Sequence, residues 1–315
     1  MRPPFKRRLG SGFPVEEFRS ELERSLGFRI APLGWLKCVN SLNFRAVRVD
    51  DGFVFSVKCV PDRKRREYDR LVTLLAETAG SGAVERLFAG SCPSRFGDYH
   101  VLCLSWAAGH GVYPDLLSDA AFSGFLDSFR RFIAGIQGAT APHAVYPIRE
   151  WREALCRECR GPAGAVLKRY LDDAPPEESY YRGDKVTMTH GDLHPGNFHY
   201  DGDRVSGFLD IESLTLSYPA ADIVRYFTFA LDHLGVFASG RRRRTYSRFE
   251  EAVAGTSWPE DEWIVAINAS WIEQLEKKVL GRGASLLGML ALSARARRYR
   301  RLRGIVRKVF DGKRR

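Results

Sequence analysis

His190-Gly191-Asp192-Leu193-His194-Pro195-Gly196-Asn197, continuing as FHYDGDRVSGFLDIES to Ser213, is the stretch on which the reading of this chain turns. It holds two polar clusters joined by a hairpin pattern. Asp192, with Asn197 closing its loop, forms the first cluster, and Asp210, at the end of the apolar run Val205, Phe208, Leu209, forms the second. Asp201-Gly202-Asp203 between them is a turn signal with an apolar strand on each side. The hairpin is expected to bring Asp192, Asn197 and Asp210 towards one edge. Two carboxylates and an amide are hard oxygen donors. They suit Mg²⁺ with a phosphate chain and leave one carboxylate over to act as a base.

The spacing follows the kinase catalytic-loop signature H-R-D-L-x-x-x-N with a later Asp, except that Gly191 stands in the place of the Arg. HGDLHPGN followed by LDIES resembles the aminoglycoside phosphotransferase and choline kinase group, and lipopolysaccharide core-sugar kinases are related to it. Glu212 and Asp222 carry the likeness further, matching D-x-E and the later G-D-P-x-x-D-L-A of that group. Here Ser217-Tyr218 replaces the Gly-Asp before Pro219, and Ile223-Val224 replaces the last two letters. The resemblance implies an α+β, protein-kinase-like two-lobe fold, with a small antiparallel β-sheet N-lobe over residues 1–106 and a mostly helical C-lobe over 107–315. An ordinary Asx-rich hairpin is the plainer alternative.

At 315 residues, with 44% hydrophobic and 28% charged side chains, the chain has the composition of a soluble globular protein. No run approaches the roughly 18 apolar residues of a membrane span, and Met1-Arg2-Pro3-Pro4 leads into no signal-peptide core. The expected location is the cytoplasm. Cys156-x-x-Cys159 lies in a helical pattern without the second pair that a zinc site needs, and reads as two helix cysteines. The net charge of +11 is concentrated at one end: residues 281–315 hold twelve Lys or Arg against the single acid Asp311. No nucleic-acid fold signature accompanies this patch, so nucleic acid is not the expected partner.

Phe18, Leu22 and Leu26 give an opening helix that ends near Phe28. Phe44 to Val49 and Phe53 to Cys59 flank Asp50-Asp51-Gly52 as a hairpin. Lys58, late in the second strand, stands where a kinase places the lysine that reaches the α- and β-phosphates. A solvent-facing strand-end lysine is the alternative. The following helix favours the first reading, because Glu67 falls where a carboxylate would orient Lys58. The loop 33–43 stands where kinases cover the phosphates, and Gly34 and Ser41 are its candidates, though either suits a plain turn.

Strands are expected over Val84 to Phe88 and Tyr99 to Trp106, with His100 and His110 on the surface. The second runs into Ala107-Ala108-Gly109, which resembles the inter-lobe hinge. Ser105, Trp106, Ala107 and Ala108 would then meet adenine mainly through main chain. Phe122 to Ile136 is a core helix, two helices are split by Gly161-Pro162, and Ala221 to Leu231 and Trp263 to Leu280 are helical. Arg241 to Arg244 reads as a solvated charge run. The last segment holds Tyr299, Leu302, Ile305, Val306, Val309 and Phe310 at helical spacing with Arg and Lys between them, a basic amphipathic helix whose expected apolar stripe is Leu302, Ile305 and Val309.

The resemblance implies that ATP and Mg²⁺ are used. Asp192 would take the proton of the acceptor hydroxyl, Asn197 and Asp210 would hold Mg²⁺, and Lys58 with Glu67 would position the phosphates. His190 would brace the loop and His194 would neighbour the acceptor. Three readings of function stay open. The first is a kinase of a small molecule or sugar, and the basic C-terminus suits an anionic acceptor better than a polycationic one. The second is a kinase of a lipid-linked or core sugar, with peripheral membrane contact through the basic helix. The third is a kinase-like binding or regulatory protein, against which the complete set of polar residues argues.

Overall fold

The structure is a computed structural model that describes residues 15–36, 42–92, 99–140, 148–172, 186–234, 238–279 and 292–315. The chain divides into two compact units. The first is Met1–Ala108 with Gly138–Thr140 and Gly207–Glu212. The second is Gly109–Gln137 with Ala141–Ser206 and Ser213–Arg315.

In the first unit, β1 (Gly34–Trp35), β2 (Leu42–Val47), β3 (Val54–Pro61), β4 (Arg86–Cys92) and β5 (Tyr99–Ser105) form an antiparallel sheet in the order β1-β2-β3-β5-β4. The expected β2–β3 hairpin forms. Asp51 accepts from Phe53 N at 3.0 Å and pairs with Arg48, and Gly52 takes φ +71° to complete the turn. Alternation along β3 sends Phe55, Val57 and Cys59 into a core with Phe18, Leu22 and Phe44, where helix α1 (Val15–Leu26) packs. Lys58 is left on the opposite side of β3 from those core residues.

Helix α2 (Arg65–Glu77) buries Tyr68, Leu71, Leu74 and Leu75. The Tyr68 hydroxyl donates to Gly90 O at 3.1 Å. Strand β4 begins at Arg86, two residues later than expected, because Val84 N is engaged elsewhere: it donates to Phe208 O at 3.0 Å. Phe208 N donates in turn to Gly82 O at 3.0 Å. That exchange makes residues 207–212 part of the first unit. His100 is a correction to its surface assignment. It is buried, with Nε2 2.9 Å from Asp62 Oδ1 and its ring 4.7 Å from that of Tyr68.

The second unit is mostly helical. Helix α3 (Asp119–Gly135) is capped by Ser118, whose Oγ accepts from Ala121 N at 3.1 Å. Its buried Phe122, Phe125 and Phe129 carry out the expected core role, and Phe125 meets Phe198 and Tyr226 with ring centroids 5.1 Å apart. Helices α4 (Ile148–Arg157) and α5 (Gly161–Asp172) follow, split where Gly161-Pro162 predicts. The short strands β6 (Thr187–Thr189) and β9 (Thr215–Ser217) pair with each other, and β7 (Phe198–Asp201) with β8 (Arg204–Phe208).

Helices α6 (Pro219–His233), α7 (Ser239–Gly255), α8 (Glu260–Val279) and α9 (Ser293–Arg314) complete the unit. Helix α8 is buried around most of its circumference, including Trp263, Ala266, Ile267, Trp271 and Leu275, and it packs on α4, α6 and α9. The arginine run at 241–244 is not uniformly solvated, since Arg241 Nε donates to the buried Asp115 at 2.5 Å. In α9 the buried stripe is Ala296, Tyr299, Leu302 and Val306, and Ile305 and Val309 are only half-buried. The expected stripe was displaced because the helix turns its 299, 302 and 306 positions, three and four apart, towards α8. Three of its cations are tied to the unit: Arg295 and Arg298 pair with Asp232, and Arg303 donates to Asn268 Oδ1 at 2.7 Å.

Candidate active site

The candidate groups fall into two sets, one in each unit. In the first unit, Lys58 points its ammonium at the acids that follow β8. Nζ hydrogen-bonds Glu212 and lies 3.9 Å from Asp210 Oδ1. The bonds between Phe208 and residues 82–84 deliver those acids, because they dock the chain just ahead of Asp210. Burial works against the charge on Lys58, but Glu212 and Asp210 more than offset it and hold its pKa above the ordinary lysine value. Asp210 adopts φ +53°, the one positive φ of a non-glycine among the described residues. Asp tolerates this left-handed region better than most residues, and such backbone clusters at functional sites.

Glu67 was expected to pair with Lys58. It pairs with Lys64 at 2.7 Å and is two-thirds exposed, so its effect on Lys58 is a weaker, longer-range attraction. Glu67 stands in the first turn of α2, three residues after Lys64, which puts that ammonium within its reach. Gly34 sits in β1 opposite Arg45, where an added Cβ would make only ordinary contact, so the backbone does not demand glycine there. Ser41 lies outside the described residues. Ser105 ends β5, its N donating to Glu85 O and its Oγ accepting from Glu85 N, both at 2.8 Å. Trp106 carries the Arg45 guanidinium over its ring at 5.7 Å, and Ala107 is buried while Ala108 is half-buried.

In the second unit, the loop from His190 to Asn197 is held from several directions. The Asp222 carboxylate accepts from His190 N at 2.6 Å and Gly191 N at 2.9 Å. Burial pushes the Asp222 pKa up, against the pull of His190, Arg225 and those two N–H donors. His190 is fully buried against Phe132, and its Nδ1 accepts from Asp192 N at 3.3 Å, which is bracing of the loop by packing and hydrogen bonding. Gly191 has φ +79°, and a Cβ there would stand 2.1 Å from Ser213 O; this is why glycine fills the place of the signature's Arg. Gly111 is constrained in a similar way, since a Cβ on it would lie 1.3 Å from Pro195 O.

Asn197 is buried, and its Nδ2 donates to Asp192 O at 2.8 Å and reaches Asp192 Oδ2 at 3.5 Å. That leaves its amide oxygen, a hard donor of the kind Mg²⁺ takes, and the half-exposed Asp210 carboxylate is another. Each of these donor types, taken in its own unit, is one that magnesium accepts. Among the described residues no group of three or more His, Cys, Asp or Glu could hold a metal. A magnesium site of one or two carboxylates completed by phosphates does not need such a group. Asp192 itself is about half exposed, with Oδ1 3.6 Å from Arg225 and Oδ2 3.7 Å from His194 Nε2. The His194 ring stacks on Phe229 at 4.8 Å, and burial lowers its pKa although Asp192 pulls the other way.

Two residues of this set escaped the sequence reading, Arg225 and Glu273. Arg225 is a charge between the apolar Val224 and Tyr226, and that isolation was the available signal; Glu273, between Ile272 and Gln274, offers no such signal. Arg225 and Glu273 meet at 2.8 Å.

An antiparallel sheet unit, a mostly helical unit, a β3 lysine and a His-Gly-Asp loop closed by Asn define a phosphotransferase of protein-kinase-like fold. Residues 41–263 match the model of the phosphotransferase enzyme family, and the chain belongs to that family. Among solved structures it is similar to an aminoglycoside phosphotransferase from Streptomyces rimosus in complex with ADP and streptomycin. The two share 20% identity at a TM-score of 0.52, over 83% of this chain and 99% of that one. It is also similar to a macrolide 2'-phosphotransferase from Brachybacterium faecium, with 16% identity at a TM-score of 0.52, over 93% and 97% of the two chains. No curated protein matches it.

Proposed function

We propose that this chain moves the γ-phosphoryl group of ATP, with Mg²⁺, to a hydroxyl of a small molecule or sugar. The observation that carries this reading is the way Asp192 is held: backbone fixed by His190 and Asn197, carboxylate still open to an incoming group. In the reaction Asp192 accepts the proton of the acceptor hydroxyl as its oxygen attacks. Lys58, kept charged by Glu212 and Asp210, orients the α- and β-phosphates, with Glu67 as a second carboxylate at longer range. Asn197 and Asp210 would hold Mg²⁺, whose contribution is to neutralise phosphate charge. Gly34 and Ser41 border the phosphates in this reading, and Ser105 to Ala108 offer main chain to the base. Catalysis of this kind is mainly positioning and electrostatics, which suits a loop so thoroughly fixed.

The solved relatives support a small-molecule acceptor by what they are: one was solved with streptomycin and another is a macrolide 2'-phosphotransferase. The test is ADP release from ATP in the presence of aminoglycosides, macrolides, amino alcohols, neutral sugars and anionic sugars, each with and without Mg²⁺. Turnover that needs both Mg²⁺ and one hydroxyl class supports the reading. ATP bound but never consumed with any of them would favour a binding or regulatory role instead.

A lipid-linked acceptor at an anionic membrane is the second reading, and one observation favours it. A groove of about 430 Å³ opens between α7 and α9; Arg243, Arg301 and Lys308 line it, together with Glu250, which pairs with Lys308 at 2.8 Å. Any membrane contact would use this charge and not the apolar stripe of α9, which is buried. Among the described residues no helix is long and apolar enough to cross a membrane. Each cation near an anionic surface contributes about 1 kcal/mol. Sedimentation with anionic and neutral liposomes at low and high salt tests it. Full-length protein that ignores anionic vesicles at low salt excludes this version.

A further inference from the structure

Helix α6 presents Asp222 and Arg225 three residues apart, hence on one face. Asp222 accepts the N–H of Gly191, and Arg225 Nη1 donates to the C=O of the same residue. That carbonyl belongs to the peptide that leads into Asp192, and the N–H of that same peptide is taken by His190 Nδ1. The peptide plane before Asp192 is thus fixed at both ends, while Asn197 fixes the carbonyl after it. Arg225 also stands 3.6 Å from Asp192 Oδ1, too far for a tight bidentate pair, so it orients the carboxylate without occupying it.

The guanidinium is itself held from behind. Nη2 donates to Glu273 Oε2 at 2.8 Å, and Lys277 reaches Glu273 Oε1 at 2.6 Å. Glu273 is buried and the Arg225 side chain is 17% exposed, so this is a mostly desolvated pair whose fork fits carboxylate geometry. A helix that only needed to pack would put an apolar residue at 225, as at Ile223, Val224, Tyr226 and Phe227. Keeping a charge there, with a dedicated counter-charge on α8, is costly unless the charge has work to do.

We propose that Arg225, anchored by Glu273, is a positioning residue that sets the orientation of Asp192 through the Gly191 carbonyl. This rests on Asp192 being the base.

The test compares wild type with R225A, R225K, E273Q and D192A as full-length proteins, by ADP release from Mg²⁺-ATP and by hydrogen–deuterium exchange over residues 190–193. R225A is expected to lower kcat roughly 10- to 50-fold with the KM for ATP within about twofold, as misplacement of a catalytic group does. R225K should recover part of that loss, because an ammonium can still donate to Gly191 O, and E273Q should lower kcat about threefold. Exchange over 190–193 should rise at least about tenfold in R225A, or in R225K and E273Q to a lesser degree should R225A not fold. The exchange readout does not require turnover. A kcat within twofold of wild type in R225A, an unchanged exchange rate at 190–193, or R225K no better than R225A would overturn the inference. Full turnover by D192A would instead sink the assignment of the base.

Discussion

Lys58 and Glu212 are joined by a direct ammonium–carboxylate contact, while Glu67, on the helix that follows the lysine strand, holds Lys64. The acid that keeps Lys58 charged therefore lies two residues beyond Asp210. Glu212→Gln is expected to cost about 1–2 kcal/mol of stability, below the loss for a fully buried pair because Glu212 is 43% exposed. Glu67→Gln, which breaks an exposed pair, should change stability by no more than about 0.5 kcal/mol. Urea unfolding of the two variants checks the order; equal effects would remove Glu212 as the partner that matters.

Gly191→Ala tests the catalytic loop. Strain at φ +79° and a Cβ 2.1 Å from Ser213 O must be relieved by moving the loop. A loss of at least about 2 kcal/mol is expected, together with loss of turnover. An alanine variant with wild-type melting temperature and activity would show that the turn is not required.

Removing Glu273 takes the close counter-charge from a mostly desolvated Arg225, whereas Glu273 without Arg225 still keeps Lys277. Glu273→Ala is expected to destabilise by about 3–5 kcal/mol. Adding Arg225→Ala to it should cost less than the sum of the two single changes, since the stranded charge is then gone. A double-mutant cycle in urea checks this, and strict additivity would mean that the pair contributes no coupling.

Cys103 supplies a pH dependence. Burial pushes its thiol up to about 12. The unfolded thiol ionises near 8.5, so between those values the unfolded state binds fewer protons and stability falls as pH rises. Each unit in that window costs about 1.4 kcal/mol. Melting temperature against pH from 8 to 11 should fall less steeply in Cys103→Ala than in wild type; parallel curves would contradict the shift.

The polar spacing of residues 190–213 made the loop legible, because Asp, Asn and Gly at those intervals are demanded by chemistry and backbone together, and the family resemblance of the same residues implied the fold. What stayed hidden depends on partners distant in sequence. Nothing local to Lys58 shows that residues 207–212 return to it, and Arg225 finds Glu273 across 48 positions. His100 looked like a surface residue because its partners, Asp62 and Tyr68, lie on another element. The stripe of α9 was misplaced because Ile305 and Val306 are both apolar, and only packing against α8 decides which of them is buried.

The most direct measurement is γ-phosphate turnover by Asp192→Ala and Asp192→Asn proteins shown to be folded and to bind nucleotide. Loss of the base, with the rest of the loop in place, is expected to lower turnover by about 10²-fold or more while nucleotide affinity stays near wild type. Turnover within about threefold of wild type in either variant would contradict the assignment of Asp192 as the residue that takes the acceptor proton.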